Sequence, residues 1–197
     1  MENNNYQIRR KAQIKQLLRL RLGFLQFIHR PVLNLLWLFV GVFIAIIVIL
    51  KNKIVEVIAI PQIIEPIFNI ALNVFIVIMP ILLIVALLEN IAECTAKRDE
   101  NALMVAFSSK ALRNGCPILI SKKRIKNSDV ITREYYSNIS LDVWNEHKNA
   151  IADALNAHFI EEIQYGGKGN NNGKIIVIKT AKGRKPIDRG VLYDDEL

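Results

Sequence analysis

Two runs of this chain carry no charged residue, and they constrain its fold more than anything else in it. Val32–Leu50 (VLNLLWLFVGVFIAIIVIL) is 19 residues long and Pro66–Leu88 (PIFNIALNVFIVIMPILLIVALL) is 23. At about 1.5 Å per helical residue, roughly 20 apolar residues cross a hydrocarbon core. A charge at mid-bilayer costs about 2.5 kcal/mol or more, so charge-free runs of this length are informative. A pair of buried core helices is the competing reading, but core helices are rarely this long or apolar on every side. A cleaved signal peptide fits poorly, because the first run starts late and is too long for an h-region. The sequence therefore predicts a two-helix transmembrane hairpin, 32–50 and 66–88, within a 32–88 membrane segment.

The net charge of +8 is unevenly placed. Residues 1–31 hold seven basic residues against Glu2, and the loop 51–65 balances Lys51 and Lys53 against Glu56 and Glu65. Residues 89–197 hold seventeen basic against fifteen acidic. The positive-inside rule then places the N-terminus in the cytoplasm, and two spans return the C-terminal part to the same side. Lys97 and Arg98, just past the second run, agree. The expected location is the cell (inner, cytoplasmic) membrane, multi-pass.

Residues 1–5 read as disordered, and the arm up to residue 31 as a basic amphipathic helix on anionic headgroups. Arg9, Arg10, Lys11, Lys15, Arg19 and Arg21 are its candidate membrane-surface contacts. The high pI also invites a nucleic-acid reading, but the large C-terminal part carries little excess charge. Asn69 and Asn73 share a helix face. With Asn34 they are candidates for polar packing inside the membrane, or else they meet water near the interface.

Residues 89–114 read as a helical stalk stopped by Asn114-Gly115. A small α+β domain over 115–180 follows, one helix on a mostly antiparallel sheet, then an extended tail over 181–197. Its strands are expected at Pro117–Ser121, Val130–Ser137, Phe159–Tyr165 and Lys174–Thr180. Ser140 is expected to cap a helix running from Leu141 to about Ala157. Trp144, Ile151 and Leu155 lie on its apolar face, as core or interaction residues.

No catalytic, metal or cofactor site is legible. The glycine-rich stretch Tyr165–Lys174 has Lys168 where a Walker A motif needs its first Gly, and Ile175 where it needs Ser or Thr. It leads into a strand, so a hairpin turn is the better reading. His29, His147 and His158 share no ligand spacing, and Cys94 and Cys116 form no C-x-x-C pair. Adjacent carboxylates at Glu161-Glu162 point to opposite faces of a strand.

Several C-terminal segments resemble a known context. They are Pro117-Ile118-Leu119-Ile120-Ser121, Arg133-Glu134-Tyr135-Tyr136, Ile139-Ser140-Leu141, Trp144, Ile151-Ala152-Asp153-Ala154-Leu155-Asn156 and Arg189–Leu197 (RGVLYDDEL). This pattern resembles the membrane-proximal region of FtsK/SpoIIIE-type DNA translocases, the TcpA-like coupling proteins of Gram-positive conjugative elements. The resemblance covers roughly half the chain and rests on apolar positions and one tryptophan, not on catalytic residues. It implies a membrane anchor and adapter for a hexameric P-loop ATPase motor, held in cis or in trans. This chain itself is then expected not to be an enzyme, to form a homo-oligomer, and to meet DNA only indirectly. A membrane-anchored interaction or sensory module with no DNA role is the alternative.

Overall fold

From Glu65 to Ala106 the backbone is one helix of 42 residues. The computed structural model describes residues 2–30, 33–58, 64–126 and 128–184. Of the expected loop 51–65, residues 59–63 fall outside them and 51–58 are helical; Arg189–Leu197 and most of the expected tail also fall outside. Two compact units divide the chain, Met1–Thr95 and Ala96–Leu197.

The first unit contains α1 (Glu2–His29), α2 (Asn34–Ile58) and the first part of α3 (Glu65–Ala106). Helix α1 begins at Glu2, so residues 2–5 are helical where disorder was expected. It buries a stripe at helical spacing, namely Arg19, Leu22, Gly23 and Gln26. This stripe packs on α3, where a Cβ on Gly23 would collide with the Leu88 carbonyl oxygen. Only glycine lets the two backbones come so close. The opposite side of α1 leaves Leu17, Phe24 and Ile28 exposed. At the α1–α2 junction, Phe27 and Trp37 meet edge to face at 5.3 Å.

Helix α2 lies antiparallel beside α3. Its start, Leu36 and Trp37, shares an apolar crevice with Ile84, Leu87 and Leu88. Further along, Lys51 Nζ donates to Asn73 Oδ1 at 2.5 Å. This geometry corrects the expected two-helix transmembrane hairpin. Among the described residues one helix, α3, is long and apolar enough to cross a membrane; the apolar part of α2 is the shorter Leu35–Lys51. The physical reason is where the charges fall. Lys51 already lies level with Asn73, seven residues and therefore ~10 Å short of Pro66. The helix then continues through Lys53 and Glu56 to Ile58. Pro80 sits inside α3 without ending it.

The helix that holds the second apolar run continues into the region 89–114 expected as a stalk and stops at Ala106. A 3₁₀ turn, Ala111–Asn114, precedes Gly115, whose φ of 112° lies outside the range other residues readily adopt.

The second unit is a five-stranded antiparallel sheet covered on one face by helices. Its strands are β1 (Ile118–Arg124), β2 (Val130–Tyr136), β3 (Ala157–Phe159), β4 (Gln164–Gly166) and β5 (Asn172–Lys182). The order is β1-β2-β5-β3, with β4 also pairing β5. Alternation puts Arg133 and Tyr135 of β2 opposite Ile178 and Ile176 of β5, all four buried. In β1 the neighbours Leu119 and Ile120 are both buried, because a bulge between Leu119 and Ser121 interrupts the alternation.

One helix was expected on this sheet; two short ones are present, α4 (Leu141–Glu146) and α5 (Lys148–Leu155). His147 divides them, with ψ at 10° and its ring 5.3 Å from that of Phe107. Trp144 packs edge-on to the same ring at 5.0 Å. Phe107, just past the end of α3, thus packs against the bend. Ser140 occupies the N-cap in extended conformation, but its side chain makes no capping bond. Asn156 ends α5 in the left-handed region, φ 49°, and turns the chain into β3. The single strand expected over Phe159–Tyr165 is two strands, β3 and β4, on the same side of β5.

The glycine-rich segment is a β4–β5 hairpin turn. Gly167 and Gly169 have positive φ, and a side chain on Gly166 would strike Ile175 and Val177.

Candidate functional site

Burial along α3 follows a four–three stripe: Ala92, Ala96, Asp99, Leu103, Ala106. Four of these are apolar and one is a carboxylate. Asp99 is 2% exposed, and a buried carboxylate needs charged or hydrogen-bonding partners. It has two on a single oxygen. Arg133 Nε donates to Oδ2 at 2.9 Å, and Lys122 Nζ stands 2.8 Å from the same atom. Arg133 Nη1 also donates to Thr180 Oγ1 at 2.5 Å, where Thr180 is itself buried. One turn-mate, Glu100, accepts the Leu119 backbone N–H at 2.8 Å. The last turns of α3 are therefore tied to β1 and β2 by charge-assisted hydrogen bonds, which are stronger than neutral ones, and Arg133 extends the cluster to Thr180 of β5.

A cavity of about 150 Å³ opens beside this cluster. Asp99, Arg133, Thr180, Lys122, Arg98, Asn156 and Lys182 are among the residues that line it. The lining carries four cations and one carboxylate.

Tyr135 sits one β2 alternation away from Arg133 and is fully buried, its ring 5.6 Å from that of Trp144. Its hydroxyl has no hydrogen-bond partner among the described residues. Burial holds its pKa well above the ordinary tyrosine value, and the Asp99 carboxylate pushes in the same direction while Arg133 opposes it.

The residues singled out from sequence are placed as follows. Arg9, Arg10, Lys15 and Arg21 are exposed on α1, whereas Arg19 is buried with Nε 3.0 Å from Glu93 Oε2. The side chains of Lys11 and Asn34 lie outside the described residues. Asn73 is exposed and meets Lys51 rather than another asparagine, and Asn69 is half-buried. Trp144, Ile151 and Leu155 are buried in the core of the second unit. Trp144 Nε1 donates to Ser137 Oγ at 3.2 Å, which satisfies the indole. The described residues contain no group of three or more His, Cys, Asp or Glu side chains suited to a metal ion.

Sequence reading missed Asp99, Arg133 and Lys122. The signal was present in part: Asp99 interrupts an apolar four–three stripe, and Arg133 shares a strand face with Tyr135. Nothing local shows that the two meet across 34 residues.

No protein-family model matches the chain, and no curated protein matches it in sequence. Among solved structures it is similar to the pCW3 conjugation coupling protein TcpA, monomer form with ATPγS, at 22% identity and a TM-score of 0.38. That match covers 49% of this chain and 27% of the other, so it spans about a quarter of that protein's length.

Proposed function

We propose that this chain is a membrane-attached adapter, with α3 entering the bilayer and the second unit presenting a docking surface to a DNA-translocating motor of conjugative transfer. One observation carries the membrane part. No residue in the 18-residue apolar window of α3 is fully buried by protein. Val77, Ile67, Ile70 and Leu82 are among its exposed side chains. In water such a surface is an aggregation liability, and in lipid it is the ordinary state. The basic residues support one orientation, because α1 packs its Arg19 beside Glu93, just past the apolar run of α3 and before Lys97 and Arg98. Positive charge at that end supports a cytoplasmic location for it.

The adapter part rests on the motif resemblance over Gly115–Leu197 and on the joint at Asp99. Within the second unit, the end of α3 is pinned to the sheet by buried ion pairs. Motor, ring assembly and DNA belong to a fuller protein or to a partner.

Expression of the full chain with a C-terminal tag tests both parts. The protein is expected in the membrane pellet after an alkaline carbonate wash, and in oligomers after amine crosslinking in detergent. A P-loop ATPase is expected to copurify from cells carrying the conjugative element. Recovery as a dissolved, folded protein in plain buffer rejects the membrane attachment. Monomers alone after crosslinking reject the ring adapter.

A further inference from the structure

We infer that the outward face of α1 rests on anionic lipid headgroups; the inference builds on the reading that α3 enters the bilayer. On α1, Arg10, Leu17, Arg21, Phe24 and Ile28 follow one another at intervals of seven, four, three and four residues, which is one stripe of a helix. It stands opposite the buried stripe Arg19, Leu22, Gly23 and Gln26. Leu17 is 71% exposed, Phe24 55% and Ile28 60%, and both arginines are exposed.

Level matters as much as composition. Gly23 lies against the carbonyl of Leu88, the last residue of the charge-free run. Phe27 shares a crevice with Ile84 and Leu87 on the apolar side of that boundary, and Arg19 meets Glu93 on the charged side. Helix α1 therefore lies across the boundary between apolar and charged surface on α3, which is headgroup level for a helix that crosses lipid. There, large apolar side chains enter the acyl boundary while arginines meet lipid phosphates. Apolar side chains interleaved with cations fit that layered surrounding, and fit neither water nor a dry protein core. A symmetric contact between two copies through the same stripe would gather the arginines of both into one interface. The structure also sorts the cations of the arm. Arg19 serves Glu93, and Lys15 lines a groove with Glu89 and Glu93, so neither belongs to the lipid face.

The test uses the full chain with Cys94→Ser and Cys116→Ser, reconstituted in vesicles of phosphatidylcholine alone or mixed with phosphatidylglycerol. A fluorophore is attached to one new cysteine at a time: Leu17→Cys on the stripe, Ala12→Cys at the groove, or Val77→Cys in the apolar window of α3. In the anionic vesicles the Leu17 label is expected to be quenched by shallow spin-labelled lipid, and at least about threefold less by acrylamide than the Ala12 label. Arg10→Glu combined with Arg21→Glu is expected to raise acrylamide quenching of the Leu17 label at least about twofold. Equal acrylamide quenching at Leu17 and Ala12 overturns the inference. A Leu17 label shielded from acrylamide yet untouched by the lipid quencher also overturns it, since protein then covers the stripe. Equal shielding in phosphatidylcholine alone, or in the double variant, overturns the assignment to anionic lipid. The Val77 label separates the two readings. If deep spin-labelled lipid quenches it while the Leu17 label stays open to acrylamide, this inference alone fails; without that quenching the membrane reading fails and takes this one with it.

Discussion

Arg133 of β2 reaches across the interior of the second unit to place Nε 2.9 Å from Oδ2 of Asp99 on α3, with both side chains almost fully removed from solvent. Lys122 shares that oxygen at 2.8 Å. This three-residue cluster is where the long helix meets the sheet. Removing one partner of a buried pair leaves the other charge stranded, at about 3–5 kcal/mol. Asp99→Asn is therefore expected to lower the thermal midpoint of the full chain in detergent sharply. Asp99→Leu with Arg133→Met, which removes both charges, should recover part of the loss. A double-mutant cycle showing no coupling between the two positions would remove the joint from the account.

Gly23 offers a second test, within the first unit. Its absent side chain is what lets α1 rest on the Leu88 carbonyl. Gly23→Ala raises helix propensity, which alone would stabilise α1 by roughly 1 kcal/mol. Overpacking costs about 1–3 kcal/mol and is expected to win, because the obstacle is backbone and cannot rotate away. Limited proteolysis should then cut α1 faster in the variant. Unchanged cutting would mean the helices separate at no cost.

Membrane insertion is tested by moving one charge. Val77 lies in the apolar window of α3 and is 64% exposed. Val77→Arg is expected to cost about 2.5–3.5 kcal/mol on insertion scales and to shift the chain out of the carbonate-resistant pellet. Val48→Arg in α2 stands one turn from Lys51, where a long cationic side chain reaches polar surroundings, so its effect should be smaller. Equal effects at both positions would contradict the assignment of α3 as the membrane-crossing element.

Tyr135 sets a direction for pH dependence. Its folded pKa lies above its unfolded value near 10, because burial disfavours the phenolate. Below the unfolded value both states keep the proton, and stability is unaffected. As pH rises past it, the unfolded chain releases a proton that the folded chain retains, so stability falls until the folded pKa is reached. Tyr135→Phe is expected to flatten that alkaline loss. Near pH 7 it should cost under about 1 kcal/mol, since the hydroxyl it removes has no partner. Unfolding curves at pH 7 and pH 11 check both halves.

Much of the fold's local grammar was legible in the residues alone. Val130–Ser137 reads as a strand from its β-branched and aromatic content, and β2 occupies Val130–Tyr136. The Gly166–Gly173 stretch reads as a turn, and a β4–β5 hairpin forms there. The charge-free run Pro66–Leu88 lies inside the one described helix long and apolar enough for a bilayer. The companion run misled, because counting uncharged residues ignores how far they reach beside a neighbour.

Period and solvation are properties of a short window, so sequence by itself determined which segments are apolar, which alternate, and where glycine turns the chain. Contacts between distant windows were decided only by the tertiary structure. It made Asp99 a core residue by bringing Arg133 and Lys122 to it, and it packed Phe107 against the bend at His147. It also required glycine at position 23, and it split one expected strand into β3 and β4. In each case the deciding energy comes from a partner far along the chain, whether desolvation repaid by an opposite charge or space already filled by another backbone.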